Sequence, residues 1–352
     1  MNLIEKESLK GSQMGIGHIS ELSAVRHLIK NNNLTDSHHK ELLDVSEKNL
    51  AGHKQSHNSA DDADDRDQHG KIMADAIQRH IESAYPGHKI SEIHHTNYGS
   101  ISNVTNGKHN DSRQDNPSDI VIGMKHPKTG ETDYHGFSLK STQTKGGKIG
   151  FKNPTPKTMD KEFGTSREEL HKNAMDEFLN ANPHLKNLPN KSSSGNSRKA
   201  EINNNDYIKD DVKQISKKHF DNIAKHTTEY LNNNVLTNQE GHDKLKHFLK
   251  KEYMNTTSSM PYSKITASGT AKSGYHDEIE DTQNNNVTRL LNHPKSKMRV
   301  RNMGSYIKYH IQDPDTKQWH GIANEQVKTS SGFGYSAPRH NIHPPSVSVE
   351  QD

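Results

Sequence analysis

The clearest alternation of apolar and polar positions lies between residues 116 and 141, in the stretch NPSDIVIGMKHPKTGETDYHGFSLKS. Ile120, Val121, Ile122 and Met124 follow Asp119 as one short apolar run. Pro127, Lys128, Thr129 and Gly130 have the chemistry of a turn, and Tyr134 to Lys140 reads as the returning strand. Side chains alternate along a strand. Phe137 and Leu139 therefore share one face, and Gly136, Ser138 and Lys140 share the other. Ile120, Ile122 and Met124 likewise oppose Asp119, Val121 and Gly123. The pattern predicts a β-hairpin over 119–140 that is apolar on one side and carries Ser138 and Lys140 on the wetter side.

Upstream the spacing is helical. Ser20 reads as an N-cap, with Leu22, Val25, Leu28 and Ile29 on one helical face. Glu21 then sits in the first turn, where the helix dipole favours a carboxylate. Leu42, Leu43 and Val45 predict a short helix over 36–50. Residues 52–67 read as a breaker and linker ending in Asp61, Asp62, Asp64, Asp65 and Asp67. That acidic run lacks the spacing and glycine of a calcium loop and reads as a helix entry. Ile72, Met73, Ala76, Ile77, His80 and Ile81 give the strongest helix of this half, stopped by Pro86-Gly87. Lys89 to His95 predicts a first strand, followed by a polar loop over 97–116.

Downstream of the hairpin, Lys145, Lys148, Lys152 and Lys157 line a Gly-rich loop, the kind of segment that meets a phosphate backbone. Ser166 and Glu169 read as a capping box before Leu170, Ala174, Met175, Phe178 and Leu179. Residues 187–205 read as an exposed low-complexity loop. A long helix is expected over 206–233, and another opened by Thr237 and Glu240. Strand signals return over 262–268, 298–311 and 319–329, and are expected to extend the hairpin's sheet. Residues 340–352 read as a tail, with His340 and His343 as an exposed pair.

Composition narrows the classes. The chain has 352 residues, of which 28% are hydrophobic, so the core must be thin and the loops long. Net charge is +3, which by itself announces no nucleic-acid binder. There is no cysteine, which excludes disulfides and thiolate zinc sites. Residues 1–15 form a polar arm without the apolar stretch of a signal peptide, and no run approaches a membrane span. The expectation is a soluble protein of the cytoplasm, or of a virion if phage-encoded, which the Asn/Lys/Ser-rich style would suit.

The Pro117-Ser118-Asp119 and Ser138-Leu139-Lys140 pair on adjacent strands resembles the core motif of the PD-(D/E)XK, restriction-endonuclease-like nucleases. The Gly17-x-x-Ser20-Glu21-x-x-Ala24 segment is similar to their first helix. The resemblance implies an α+β fold of the α/β type, a central mixed β-sheet with flanking helices and a helical insertion. It implies Asp119 as first metal ligand, Glu21 as second and the Leu139 carbonyl as third. Lys140 would orient water, and Ser138 stands where the family has an acidic residue. Glu162, Glu168 and Glu169 are candidates to supply the missing carboxylate. The cofactor expected is Mg²⁺, or Mn²⁺ in its place. The partner expected is DNA, with RNA open, contacted by Lys145, Lys148, Lys152 and Lys328. No membrane is expected; a homodimer or assembly partner is left open. The domains expected are an arm (1–15), a nuclease-like core (16–186), a flexible loop (187–205), a helical insertion (206–256), strands completing the sheet (257–339) and a tail (340–352). The activity expected is metal-dependent hydrolysis of phosphodiester bonds in DNA. A catalytically silent nucleic-acid binder and a structural or assembly component are the alternatives.

Overall fold

A computed structural model describes residues 16–56, 60–113, 115–146, 154–191, 196–253, 257–281, 286–343 and 349–350. The fold is mixed α+β and divides into two compact units. Met1–Ile149 with Asn255–Asn285 make the first, and Gly150–Met254 with Asn286–Asp352 the second. Among the described residues no helix is long and apolar enough to cross a membrane.

The first unit is built on a five-stranded mixed sheet in the order β1-β2-β3-β4-β5. Its strands are β1 (Lys89–His95), β2 (Ile120–Lys125), β3 (Thr132–Thr142), β4 (Tyr262–Thr270) and β5 (Gly274–Asp281). All neighbours are antiparallel except β3 and β4, which run parallel. Helices α1 (Ile16–Asn31), α2 (Ser37–Ser56) and α3 (Ala60–Ala84) accompany it, with a short α4 (Ile101–Val104).

The alternation of the hairpin decides which way it packs. Ile120, Ile122, Met124, Phe137 and Leu139 lie in one core with Val25, Leu28 and Ile29 of α1 and Met73, Ile77 and Ile81 of α3. Each such side chain contributes about 1.5–3 kcal/mol when fully buried. Val121 and Tyr134 face the other way, onto Ile101 and Met260. The register Ile120↔Phe137 and Met124↔Asp133 keeps both sets in line. Gly70 fixes the approach of α1 and α3: a Cβ there would come within 2.4 Å of the Ser23 Cβ. Only a residue without a side chain permits that crossing.

Several expectations change in this unit. Helix α1 begins at Ile16, so Ser20 is buried inside the helix and is not its N-cap. Gly52 lies within α2, and the acidic run belongs to the first turns of α3 rather than to a linker. An isolated glycine weakens a helix by only about 1 kcal/mol, which flanking packing offsets. The polar arm over 1–15 lies outside the described residues.

The second unit holds α5 (Pro156–Phe163), α6 (Arg167–Ala181), α7 (Arg198–Asn204), α8 (Asp206–Tyr230), α9 (Gln239–Phe248) and α10 (Asn286–Asn292). They accompany an antiparallel sheet of β6 (Lys297–Met303), β7 (Tyr306–Gln312), β8 (Trp319–Thr329), β9 (Pro338–His343) and β10 (Val349–Glu350). The order is β10-β8-β7-β6, with β9 also on β8.

The strands expected to complete one sheet therefore divide. Only β4 and β5 join the hairpin, and β6 to β10 form a sheet of their own. The reason is a second complete apolar set: Val300, Ile307, Tyr309, Ile311, Ile322 and Val327 close on Ile223, Leu231, Leu245 and Phe248 of the helices expected as an insertion. The single strand expected over 298–311 is a hairpin turning at Gly304, whose φ is +62°. The expected tail contributes β9 and β10, and His340 is fully buried. Inside the expected loop of 187–205, Ser197 caps α7 and Ile202 is buried. Residues 192–195 lie outside the described residues.

Two caps also differ. Ser166 has a left-handed backbone, φ 56°, and caps nothing with its side chain. Asp160 instead accepts from the amides of Arg167 and Glu168, both at 2.7 Å. The helix expected to open at Thr237 is capped by Asn238, which accepts from Gly241 N–H at 2.9 Å.

Candidate active site

Asp119 immediately precedes β2, and its N–H donates to the Phe137 carbonyl at 2.8 Å, so the ladder with β3 already holds its backbone. Thr96, after β1, donates through its amide to the Asp119 carbonyl at 3.0 Å. These bonds aim the carboxylate at the C-terminal half of β3. Its Oδ2 accepts from the Leu139 amide at 2.7 Å, from Lys140 Nζ at 3.2 Å and from Ser138 Oγ at 3.4 Å. No described residue donates to Oδ1. The hairpin thus brings together the three residues the sequence placed on facing strands. The Asp119 side chain is 16% exposed and that of Lys140 31%. Leu139 contributes its amide to this cluster, and its side chain goes into the core.

Electrostatics leave Asp119 undercompensated. Burial raises its carboxyl; the Lys140 ammonium pulls it down, the charge of Glu21 raises it again and the Leu139 amide lowers it. The balance lies above the ordinary aspartate value. A carboxyl raised by burial and by the charge of a neighbouring carboxylate, in a half-closed site, marks a place where a cation is favoured.

Glu21 comes from α1, and its company was not read from the sequence. Its Oε2 lies 3.3 Å from His18 Nδ1 and 3.6 Å from His95 Nε2. Burial alone would raise this carboxyl, but the neighbouring imidazoles of His18 and His95 overcome burial and hold it at about 2. His18 precedes Glu21 by three residues, one turn away on the same helix face. That spacing was a legible signal. His95 ends β1 and no spacing could have announced it.

Further residues join from elements that carried no motif. Lys264 on β4 is the register partner of Ser138, the position where the nuclease motif has an acid. It is buried and paired with Glu280 of β5 at 3.0 Å. Burial lowers its ammonium, against the raising charge of Glu280. Arg66 on α3 donates to Ser141 at 3.1 Å, next to Lys140, and lies 3.4 Å from Asp62. The candidate replacements for the missing carboxylate, Glu162, Glu168 and Glu169, belong to the second unit. There Glu162 lies 3.6 Å from Lys244.

Of the lysines expected to meet nucleic acid, Lys145 is exposed on the turn after β3, where the Gly146 amide donates to Ser268 at 3.0 Å. Lys148 and Lys152 lie outside the described residues. Lys328 lies in the second unit on β8, opposite Arg339 of β9. Burial and the Arg339 charge lower its ammonium.

No family model matches the chain, and no curated protein matches it.

Proposed function

We propose that the chain is a restriction-endonuclease-like protein that hydrolyses phosphodiester bonds in DNA with the help of a divalent metal ion. The observation that carries this reading is the convergence of Asp119, Ser138 and Lys140 at one end of a mixed sheet, with Glu21 close enough to raise the Asp119 carboxyl. Phosphodiester hydrolysis requires charge neutralisation on the phosphate, an aimed water and a grip on the nucleic acid.

Mg²⁺ fits this donor set in outline, because it takes oxygen ligands and needs only one or two carboxylates beside the substrate phosphate. Asp119, through Oδ1, and Glu21 would hold it, with the Leu139 carbonyl as a third oxygen. When bound, the ion would neutralise charge on the phosphate oxygens. Lys140 would orient the attacking water and stabilise the negative charge that develops on the phosphate. The Leu139 amide keeps the Asp119 carboxylate fixed while this happens. Lys145 on the neighbouring turn would contribute a phosphate contact, and Lys148, Lys152 and Lys328 are proposed as further nucleic-acid contacts of the chain.

The test is incubation of the full chain with supercoiled plasmid, linear DNA and single-stranded RNA, with Mg²⁺, with Mn²⁺ and with EDTA. Cleavage of DNA that needs the metal, and that disappears in Asp119→Asn and Lys140→Ala, is expected. Absence of cleavage, or equal cleavage by both variants, overturns the reading. One observation favours a second reading, nucleic-acid binding without hydrolysis. The position beside Asp119 holds Ser138 rather than an acid, and its register partner is the buried Lys264. That reading expects salt-sensitive DNA retention with no cleavage in either metal.

A further inference from the structure

The hydrolase reading uses the Asp119 side of Glu21. The other side of the same residue faces two imidazoles. One ligand atom each from His18, Glu21 and His95 lies within 4.8 Å of the others. We infer that these three residues form a binding site for a divalent transition-metal ion of the zinc class. The inference goes beyond the hydrolase reading and shares only Glu21 with it.

Three features carry it. The first is spacing. Ligands about 2.0–2.1 Å from one tetrahedral ion lie roughly 3.3 Å from each other. Glu21 Oε2 is 3.3 Å from His18 Nδ1 and 3.6 Å from His95 Nε2. The second is an orphaned atom. His95 is 1% exposed, yet its Nε2 has no hydrogen-bond partner among the described residues. At 3.6 Å it is too far from the carboxylate to bond to it directly, and a buried polar atom left so is costly. A cation between the two satisfies both. The third is donor chemistry. Two imidazoles and one carboxylate are the ligand set of catalytic zinc sites, and imidazole disfavours Mg²⁺.

Loading has a cost. His95 Nδ1 accepts from the Asn97 amide at 3.2 Å, so the neutral ring carries its proton on Nε2. To ligate through Nε2 the ring must move that proton to Nδ1, and the Asn97 amide must turn away. Asn97 is exposed on the turn after β1, where its amide can meet water instead. Its side-chain amide lies 3.3 Å from His18 Nδ1 and would be displaced in the same movement.

The experiment is calorimetric titration of the full chain with ZnCl₂, alone and against excess MgCl₂. It compares the unaltered protein with His18→Ala, His95→Gln and Asp119→Asn, each checked by circular dichroism. The chain has 26 histidines, so the informative result is loss of one site, not zinc uptake as such. Losing even an outer partner of a metal ligand costs 10–100-fold in affinity, so loss of a ligand here should weaken one Zn²⁺ site by about 100-fold or more. The site should persist in Asp119→Asn and resist Mg²⁺. If His95→Gln does not fold, His18→Ala decides, because His18 is partly exposed at the surface. Zinc titrations of the folded histidine variants that match the unaltered protein overturn the inference, as does displacement by Mg²⁺. In that case, cleavage that still depends on Asp119 leaves the hydrolase reading standing. Conversely, a zinc site lost in the histidine variants with no cleavage under any metal upholds the inference and removes the hydrolase reading.

Discussion

Each unit contains a buried carboxylate facing a cation, and the two are settled in opposite ways. Glu325 in the second unit is 0% exposed and its partner Arg167 1%. Arg167 reaches both carboxylate oxygens, at 2.5 and 3.3 Å, while Tyr309 and His340 each donate to one at 2.5 Å. Arg167 Nε donates onward to Thr227 at 3.1 Å. Burial opposes ionisation of Glu325, but Arg167 and His340 overcome it and hold the carboxyl well below its usual range. In the first unit Asp119 has one ammonium, an amide and a hydroxyl on a single oxygen, and another carboxylate nearby. Its carboxyl is raised. A carboxylate with every lone pair answered fixes a fold, whereas one left short of positive charge is equipped to take a ligand.

The sharpest way to break this contrast is to remove each carboxylate charge and read activity and stability together. Asp119→Asn should cost about 10³-fold or more in metal-dependent cleavage, the scale of losing a charge-stabilising group in a closed site. It should leave the unfolding midpoint unchanged or higher, because ionisation of a carboxyl whose pKa is raised by folding destabilises the fold. Plasmid cleavage and denaturant unfolding check both halves. A large loss of stability would make Asp119 a structural residue like Glu325.

Glu325→Gln should do the reverse. It removes the carboxylate that faces the buried Arg167 guanidinium, which costs on the order of 3–5 kcal/mol. Trp319 is the chain's one tryptophan and lies in β8 of the second unit, so its fluorescence follows the unfolding of that unit. Cleavage by protein that remains folded should be unchanged.

Acid should separate the units next. His171 and His219 form a chain with His340, at 3.3 and 3.4 Å. Burial lowers His219 from 6.5 to about 4, and burial with the charges of His340, His219 and Arg167 lowers His171 to about 2. Both stay neutral in the fold and become charged in the unfolded chain. Their contribution is complete above pH 6.5 and is lost as pH falls toward the folded values. Glu325 acts in the same direction: its contribution is complete above its unfolded value and is lost as pH falls toward the depressed one. The Trp319-monitored midpoint should therefore fall steadily from pH 6.5 to 4, and His219→Asn should flatten that slope. A pH-independent midpoint would deny the buried histidines this role.

The smallest effect expected is on DNA retention. Each phosphate contact adds about 0.9 to the slope of log affinity against log salt. Lys145→Ala should lower the slope by about that much and weaken binding similarly for all sequences. Lys328→Ala in the second unit carries the same expectation. Filter retention at several salt concentrations measures both, and unchanged slopes would remove these lysines from the interface.

The hairpin was legible because two short-range signals agreed there. Alternation set the faces of Ile120, Ile122, Phe137 and Leu139, and the turn over Pro127 to Gly130 set the register. Together they necessarily bring Asp119 to Ser138 and Lys140. The helix carrying Glu21 was legible from its apolar stripe, although its start was not, because Ser20 has the chemistry of a cap without the position. Nothing local distinguished β4 and β5, which join the hairpin, from β6 to β10, which do not. Strand patterning records that a face will be buried, not which core buries it. His340 makes the same point. In sequence it is a polar residue near the chain's end, and in the fold it is one of the most buried groups of the second unit.

What the chain determined by itself, then, are the periodicities of 2 and 3.6 and the contacts they force between residues close in sequence, with Asp119, Ser138 and Lys140 as the chief result. Tertiary structure alone decided that there would be two sheets, that Glu21 would meet His95, that Lys264 would lie beside Ser138 and that Arg167 would meet Glu325. Those meetings depend on apolar faces closing over long loops, and hydrophobic attraction is non-directional. It fixes partners only when whole surfaces fit, as α1 and α3 do across Gly70.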